Sequence, residues 1–285
     1  MQQEFYTRIL KYCLILFITA IFFFPLYWTL TMVFKSYHEW STAHGAAIQW
    51  WPTHFNFDNI TYLFQRQTHH SPLAATATRP LINSIIVSFT GTALAVVLGV
   101  LAAYGVSRYK ANKEFPLMLL TLRMFPPVAV LIPLMIMWAF LRFTDTWYGL
   151  TLVYGLVTLP FSVWLMLTFF DEIPNELTEA AIVDGCTNWQ AFHKVILPLA
   201  KGGIASTALF CFILNWSDFA VALSLTTRNM KTIPVYLSML QTAFEGEQYG
   251  PKAALGIIAV IVPVVFGIAI QKYLVRGLTF GAIKK

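Results

Sequence analysis

The stretch EAAIVDGCTNWQAFHKVILP, Glu179 to Pro198, reads like a piece of water-facing protein set between two long apolar runs. Pro174 ahead of it and the acids Glu176 and Glu179 suit the first turn of a helix, where a missing amide donor costs nothing and negative charge meets the positive helix end. Gly185 suits a left-handed stop. Thr187-Asn188-Trp189-Gln190 has the capping-box pattern, so a second helix is expected to start there and to run through Trp189, Phe192, Val195 and Ile196 until Pro198 ends it. The expected local structure is helix, turn, helix. The same loop collects the acids Asp171, Glu172, Glu176, Glu179 and Asp184, and one face offers Ala180 and Ala181, small enough for another protein to approach closely. A docking element and an ordinary surface loop both fit these features.

What surrounds the stretch is unlike it. Of 285 residues, 58% are hydrophobic and only 11% charged, a balance that excludes an ordinary water-solvated domain and points to an integral membrane protein. A crossing helix needs ~20 mostly apolar residues, and runs at about 12–34, 81–106, 115–141, 147–170, 203–226 and 253–274 qualify. The expected fold is therefore all-α: an integral membrane helical bundle of six transmembrane helices in a single domain over 1–285, with the hairpin at 171–202. The first run follows Arg8 and Lys11 and has no small-residue cleavage site behind it, so it is expected to stay as an anchor. Six crossings put both termini on one side. Eleven of the 19 lysines and arginines fall on the side of the termini and of the hairpin, seven on the other, and Arg123 lies inside a run, which favours a cytoplasmic N-terminus and a cytoplasmic C-terminus.

The net charge of +6 is spread over the ends of apolar runs, where lipid headgroups and orientation account for it, so no nucleic-acid partner is expected. Cys13, Cys186 and Cys211 have no paired spacing and suggest neither a disulfide framework nor a zinc knuckle. Five of the six histidines, His38, His44, His54, His69 and His70, fall in the connection after the first run at irregular spacing, and no metal site is expected from them. Contact with a partner protein is the better use of that connection.

Glu179-Ala180-Ala181, three residues, Gly185, nine residues, Val195, one residue, then Leu197-Pro198 resembles the EAA loop of permease subunits of binding-protein-dependent ABC importers. Val195 stands where the family usually has isoleucine. The resemblance extends along the chain and narrows to the carbohydrate-uptake branch, similar to its maltose-type second permease subunit. Phe34-Lys35-Ser36, Asn83-Ser84-Ile85, Leu101-Ala102-Ala103-Tyr104, Ile132-Pro133-Leu134, Thr232-Ile233-Pro234-Val235 and Val275-Arg276-Gly277-Leu278-Thr279 with Gly281-Ala282 match that branch in order.

The resemblance implies a subunit of the cell inner (plasma) membrane that works beside a second permease subunit, two ATPase subunits and an extracytoplasmic substrate-binding protein. It implies no catalysis and no cofactor on this chain, with ATP and Mg held by the partner ATPase. The sequence agrees in lacking a Gly-Lys-Ser/Thr phosphate loop. Glu179, Ala180, Ala181, Asp184, Gly185, Leu197 and Pro198 would then couple the ATPase to the spans. The tail Gly281-Ala282-Ile283-Lys284-Lys285 resembles the family's C-terminal signature, and a basic tail at the headgroups is the alternative.

Charges inside spans are costly, so each is a candidate for the substrate pathway. Asp218 lies in Asn215-Trp216-Ser217-Asp218-Phe219, which resembles the family's Trp-Asn-Glu-Phe with Ser217 and Asp218 as departures. A carboxylate beside an indole suits a neutral polyol, the acid accepting hydroxyl hydrogen bonds while the ring stacks on C–H faces; an interhelical polar contact is the alternative. Arg123 precedes Pro126-Pro127, which must open the helix, as broken helices do where they line a cavity. Snorkelling to the interface is the ordinary account of that arginine. Two rival functions remain, an ion-driven secondary carrier and an integral membrane enzyme; for the second, neither His-Glu-x-x-His nor Gly-x-Ser-x-Gly occurs. Sugars, sugar alcohols, glycerol and its phosphodiesters all fit the branch.

Overall fold

The computed structural model describes residues 2–40, 49–65, 76–109, 114–124, 126–242 and 246–281. The expectations on His44, His69, His70 and the last four residues lie outside them. In chain order the helices are α1 (Gln2–Phe34), α2 (Tyr37–Trp40), α3 (Asp58–Phe64), α4 (Thr78–Tyr109), α5 (Phe115–Leu122), α6 (Pro127–Phe140) and α7 (Trp147–Asp171). They continue with α8 (Glu176–Val183), α9 (Asn188–Ala191), a π-helical turn over Phe192–Ile196, α10 (Leu197–Leu199), α11 (Lys201–Trp216), α12 (Ala220–Leu225), α13 (Ile233–Ser238) and α14 (Tyr249–Gly281). Among the described residues the only extended pairing is antiparallel, two residues long, between β1 (Gln241–Thr242) and β2 (Gly246–Glu247). The chain is all-α.

Four of the six expected runs are single helices long and apolar enough to cross a bilayer, within α1, α4, α7 and α14, and a fifth arises if Asn188–Leu199 and Lys201–Trp216, bent by 72°, count as one span. The third and fifth runs differ from the expectation because both are interrupted. The third divides into α5 and α6 at Arg123–Pro126, where Pro127 has no amide hydrogen to continue the ladder. In the fifth, α11 stops at Trp216 and α12 restarts at Ala220. No proline stands there; instead Asp218 Oδ2 accepts from the Ala222 amide at 3.1 Å, a local bond that competes with the helix ladder.

The apolar surface of α1 is left bare: in its most hydrophobic window no residue is buried, and in α14 11% are. Leu10, Leu16, Phe17, Phe22 and Phe23 all stand exposed along α1. Such a surface is far beyond what a water-soluble monomer tolerates, and lipid or another apolar helix is its natural solvent.

Two compact units emerge, residues 1–78 with 236–260, and residues 79–235 with 261–285. In the first, the connection after α1 is pinned to the helix end. Lys35 is buried, donates to the Gln49 carbonyl at 2.5 Å and lies 4.2 Å from the Trp28 ring centroid. Burial pushes its ammonium down, and Glu39 opposes that. The Glu39 carboxylate accepts from the amide and hydroxyl of Ser36 and of Thr53. Burial pushes it up, but these four bonds outweigh burial and bring it down to about 2. Trp50 meets Phe24 and Trp28 while Trp51 meets Tyr27 and Phe55, so the Trp-Trp-Pro segment forms an aromatic patch at one end of α1. That suits a membrane interface.

In the second unit the helices approach closely at glycines. A Cβ at Gly99 of α4 would collide with the Ser162 side chain of α7, with the Ser162 carbonyl carbon only 3.0 Å away. Gly91 meets Tyr154 and Gly155 meets Leu94 in the same way. With lipid outside, helices gain nothing by hiding apolar surface from water, so backbone proximity and dispersion supply the attraction.

At the other end of this unit Asp145 (φ 57) accepts from the amides of Thr227, Arg228, Asn229 and Met230 at 3.0–3.3 Å. Burial raises its carboxyl, and the four amides more than reverse this, holding it below the usual carboxylate range. Asn83 donates to the carbonyls of Asn229 and Lys231, and the Ile233 amide donates to Ser84 Oγ at 2.7 Å. Asn83-Ser84 and Thr232-Ile233, two fragments far apart in sequence, therefore meet as one clasp.

Candidate functional site

The hairpin begins where α7 ends. Asn175 precedes α8, whose first turn carries Glu176 and Glu179, as the positive helix end favours. The helix closes as a Schellman motif: the Gly185 amide donates to the Ile182 carbonyl and the Cys186 amide to the Ala181 carbonyl, both at 3.0 Å. Gly185 sits at φ +87, the left-handed region the turn requires. Thr187 then opens α9 with a full capping box, its Oγ1 accepting from the Gln190 amide at 3.2 Å and its amide donating to Gln190 Oε1 at 2.9 Å.

Beyond α9 the structure departs from the sequence reading. Pro198 does not end the helix. The turn at Phe192–Ile196 widens to π geometry, with the Leu197 amide donating to the Phe192 carbonyl, and the chain continues helically to Leu199 before bending into α11. A π turn shifts the ladder by one residue and lets it absorb a proline that offers no donor.

Two sides of the hairpin differ in burial. Phe192, Ile196 and Ala200 are buried against Val96, Val100, Ala103 and Tyr104 of α4 and Met166 and Phe170 of α7. Tyr104 is the hub, its ring centroid 4.5 Å from Phe192 and 5.7 Å from Phe170. The other side is open: Glu179, Ala180, Asp184, Gly185 and Pro198 are exposed and Leu197 is half-buried. Of the expected small apolar face, Ala180 is exposed and Ala181 is buried, and Ile182, Val183 and Trp189 are exposed close by in the hairpin.

The second group of candidates clusters at the two helix interruptions. Arg123 follows α5 and is exposed, its guanidinium 5.2 Å from the Phe161 ring centroid. Asp218 is half-buried, and the two opposite charges attract one another. Ser217 is exposed beside it. Trp216 is buried and stacks on Phe212 at 5.7 Å, and Phe212 packs in turn on Phe89 and Phe266. The indole therefore belongs to an aromatic core, and Asp218 has a different aromatic neighbour. That neighbour is Tyr154 of α7, almost fully buried, with Asp218 and Thr232 as the polar groups around its hydroxyl, which makes no well-formed hydrogen bond. Nothing in the apolar run around Tyr154 singles it out; only a hydroxyl inside a span hints at it.

The family described as "Binding-protein-dependent transport system inner membrane component" matches residues 95–280, which include the whole hairpin and the polar cluster. The trehalose transport system permease protein SugB of Mycobacterium tuberculosis is 38% identical over 241 residues, 82% of this chain and 84% of its own. The trehalose/maltose transport system permease protein MalG of Thermococcus litoralis is 32% identical over 287 residues, spanning 100% of this chain and 99% of its own. A chain from a solved bacterial ABC transporter involved in the import of the acidic polysaccharide alginate shares the fold, with a TM-score of 0.75 at 21% identity over 96% of this chain and 98% of that one. With the family match spanning most of the chain and relatives this similar over nearly their full lengths, the protein belongs to the binding-protein-dependent inner membrane components, the permease subunits of ABC importers.

Proposed function

We propose that this permease moves a sugar, polyol or related small solute into the cell, beside a second permease subunit and above two ATPase subunits that dock on the hairpin. The observation that carries the reading is the hairpin: a rigidly capped helix pair, packed on the ends of α4 and α7 by one side and bare on the other. A rigid arm transmits a push; a loop would absorb it. Relatives named for trehalose and maltose support the solute class. The proposed topology has six crossings in one domain, the interrupted runs α5–α6 and α11–α12 completing the third and fifth, with both termini and the hairpin in the cytoplasm. Glu179, Ala180, Asp184, Gly185, Leu197 and Pro198 form or shape the ATPase contact, with Ala181 behind them. ATP and Mg stay on the ATPase.

Reconstitution with the partner subunits in liposomes tests this. Hydrolysis is expected to rise when sugar-loaded binding protein is added outside, and solute to accumulate inside. Transport by this chain alone, as a secondary carrier would achieve, overturns the reading.

The pathway is proposed to run past Arg123 and Asp218, with Ser217 and Tyr154 beside the carboxylate and Trp216 fixing the segment from behind. Carboxylate, guanidinium and phenol are the groups that hydrogen-bond a polyhydroxylated solute. Asp218→Asn and Arg123→Gln are expected to raise the solute concentration for half-maximal uptake about tenfold, one charge-assisted hydrogen bond at the low end of its range, with assembly intact. A lower yield of assembled complex at unchanged half-saturation would assign both to packing instead.

A further inference from the structure

The hairpin is joined to the spans covalently only at its two ends, and its apolar contact with α4 has no fixed direction. Hydrophobic packing is non-directional and lets surfaces slide. Hydrogen bonds supply direction, most of them from one side chain. Arg108, in the last turn of α4, reaches across to the start of the hairpin. Its Nη2 donates to the carbonyls of Phe170 at 3.3 Å and Ile173 at 2.9 Å, and its Nη1 donates to Asn175 Oδ1. Next to it, Ser107 Oγ donates to Asp171 Oδ1 at 2.6 Å.

These acceptors mark three successive parts of the chain: the last turn of α7, the connection after it, and the residue before α8. The last turn of α7 carries the negative end of the helix dipole, so a cation from a neighbouring helix is favoured there, although the Phe170 carbonyl also accepts from the Ile173 amide at 3.1 Å. The guanidinium's planar fork can hold separate acceptors in fixed directions, which a lysine ammonium cannot reproduce.

We propose that Arg108 is a positioning residue for energy coupling: it locks the end of α4 to the entrance of the hairpin, so that a displacement of the hairpin by the ATPase is delivered to α4 and α7 together. This rests on the reading of the hairpin as the ATPase contact. The competing account is an interfacial arginine that serves orientation by charge alone. The two accounts differ on lysine, which keeps the charge and loses the fork.

The test is the number of ATP molecules hydrolysed per solute moved, measured on the complete complex in liposomes with loaded binding protein. Arg108→Gln and Arg108→Lys are both expected to hydrolyse ATP while moving solute about tenfold less per ATP, the factor for one charge-assisted hydrogen bond at the low end of its range. Full recovery by lysine, or an unchanged ratio in the glutamine variant, overturns the proposal. Should the arginine variants fail to assemble, Asn175→Ala removes one acceptor and leaves the cation, and an unchanged ratio there overturns it equally. Gly185→Val separates the two readings. If that variant couples normally, the hairpin reading falls; if it loses the ATPase while the Arg108 variants keep the wild-type ratio, only the Arg108 proposal falls.

Discussion

Gly185→Val is expected to abolish measurable uptake while leaving the spans folded. At φ +87 a valine is forced into the left-handed region, and an added Cβ there meets no atom within 4 Å, so the penalty is one of backbone conformation alone. That penalty is about 1–2 kcal/mol for an ordinary residue, or roughly five- to thirtyfold in the population of the closed turn, and a β-branched side chain adds to it. Losing the turn also undoes the bonds from Gly185 and Cys186 to Ile182 and Ala181, so α8 is released from α9. Gly185→Asn is the control, because asparagine tolerates this region and should retain most uptake. Glu179→Lys separates contact from folding: Glu179 is exposed, so the hairpin should stay formed while the ATPase is lost from the purified complex. Wild-type uptake by both Gly185→Val and Glu179→Lys would mean that the hairpin is no docking arm.

The hairpin could be read from sequence because its determinants are local. A left-handed glycine, a capping threonine and a glutamine three residues on each act on backbone groups within one turn. The π turn could not be read that way. It depends on Phe192 and Ile196 settling against Tyr104 and Phe170, residues far away in sequence, and that packing selects which side of the helix turns inward. The same holds for Ala181, which is buried where α8 packs against α9 and the π turn.

The two interrupted spans show the division again. Paired prolines announce the break after Arg123, since neither can donate to a ladder. Nothing comparable announces the break after Trp216. Hydropathy counts Ser217 and Asp218 as a small dip within an apolar run, and only the geometry shows the carboxylate taking an amide that the helix would have used. Tyr154 was illegible for a related reason: its spacing along α7 is that of any core aromatic, and what distinguishes it is the company of Asp218 and Thr232 from other segments.

Gly99→Val is expected to prevent assembly of the permease, and for a cause unrelated to the hairpin. Gly99 is where α4 lies against α7, with Ser162 Cβ 2.6 Å from the position a new Cβ would take. Both residues are buried in helix interiors, so neither backbone can retreat without disturbing Val96, Val100 and Val163 around them. Overpacking of a dense interior usually costs about 1–3 kcal/mol, and here the obstacle includes backbone as well as side chain, which puts the cost at the upper end. Gly105 on the same helix has no atom within 4 Å of the place an added Cβ would occupy, so Gly105→Ala should behave as wild type. Exchanging the pair, Gly99→Ala with Ser162→Gly, removes the contacts to Ser162 Oγ and Cβ and leaves the Ser162 carbonyl carbon at 3.0 Å, so partial recovery is expected. Size-exclusion profiles and thermal unfolding of the detergent-solubilised complex read all three. If Gly99→Val and Gly105→Ala gave equal yields and melting temperatures, close approach of α4 and α7 would not be what holds this bundle together.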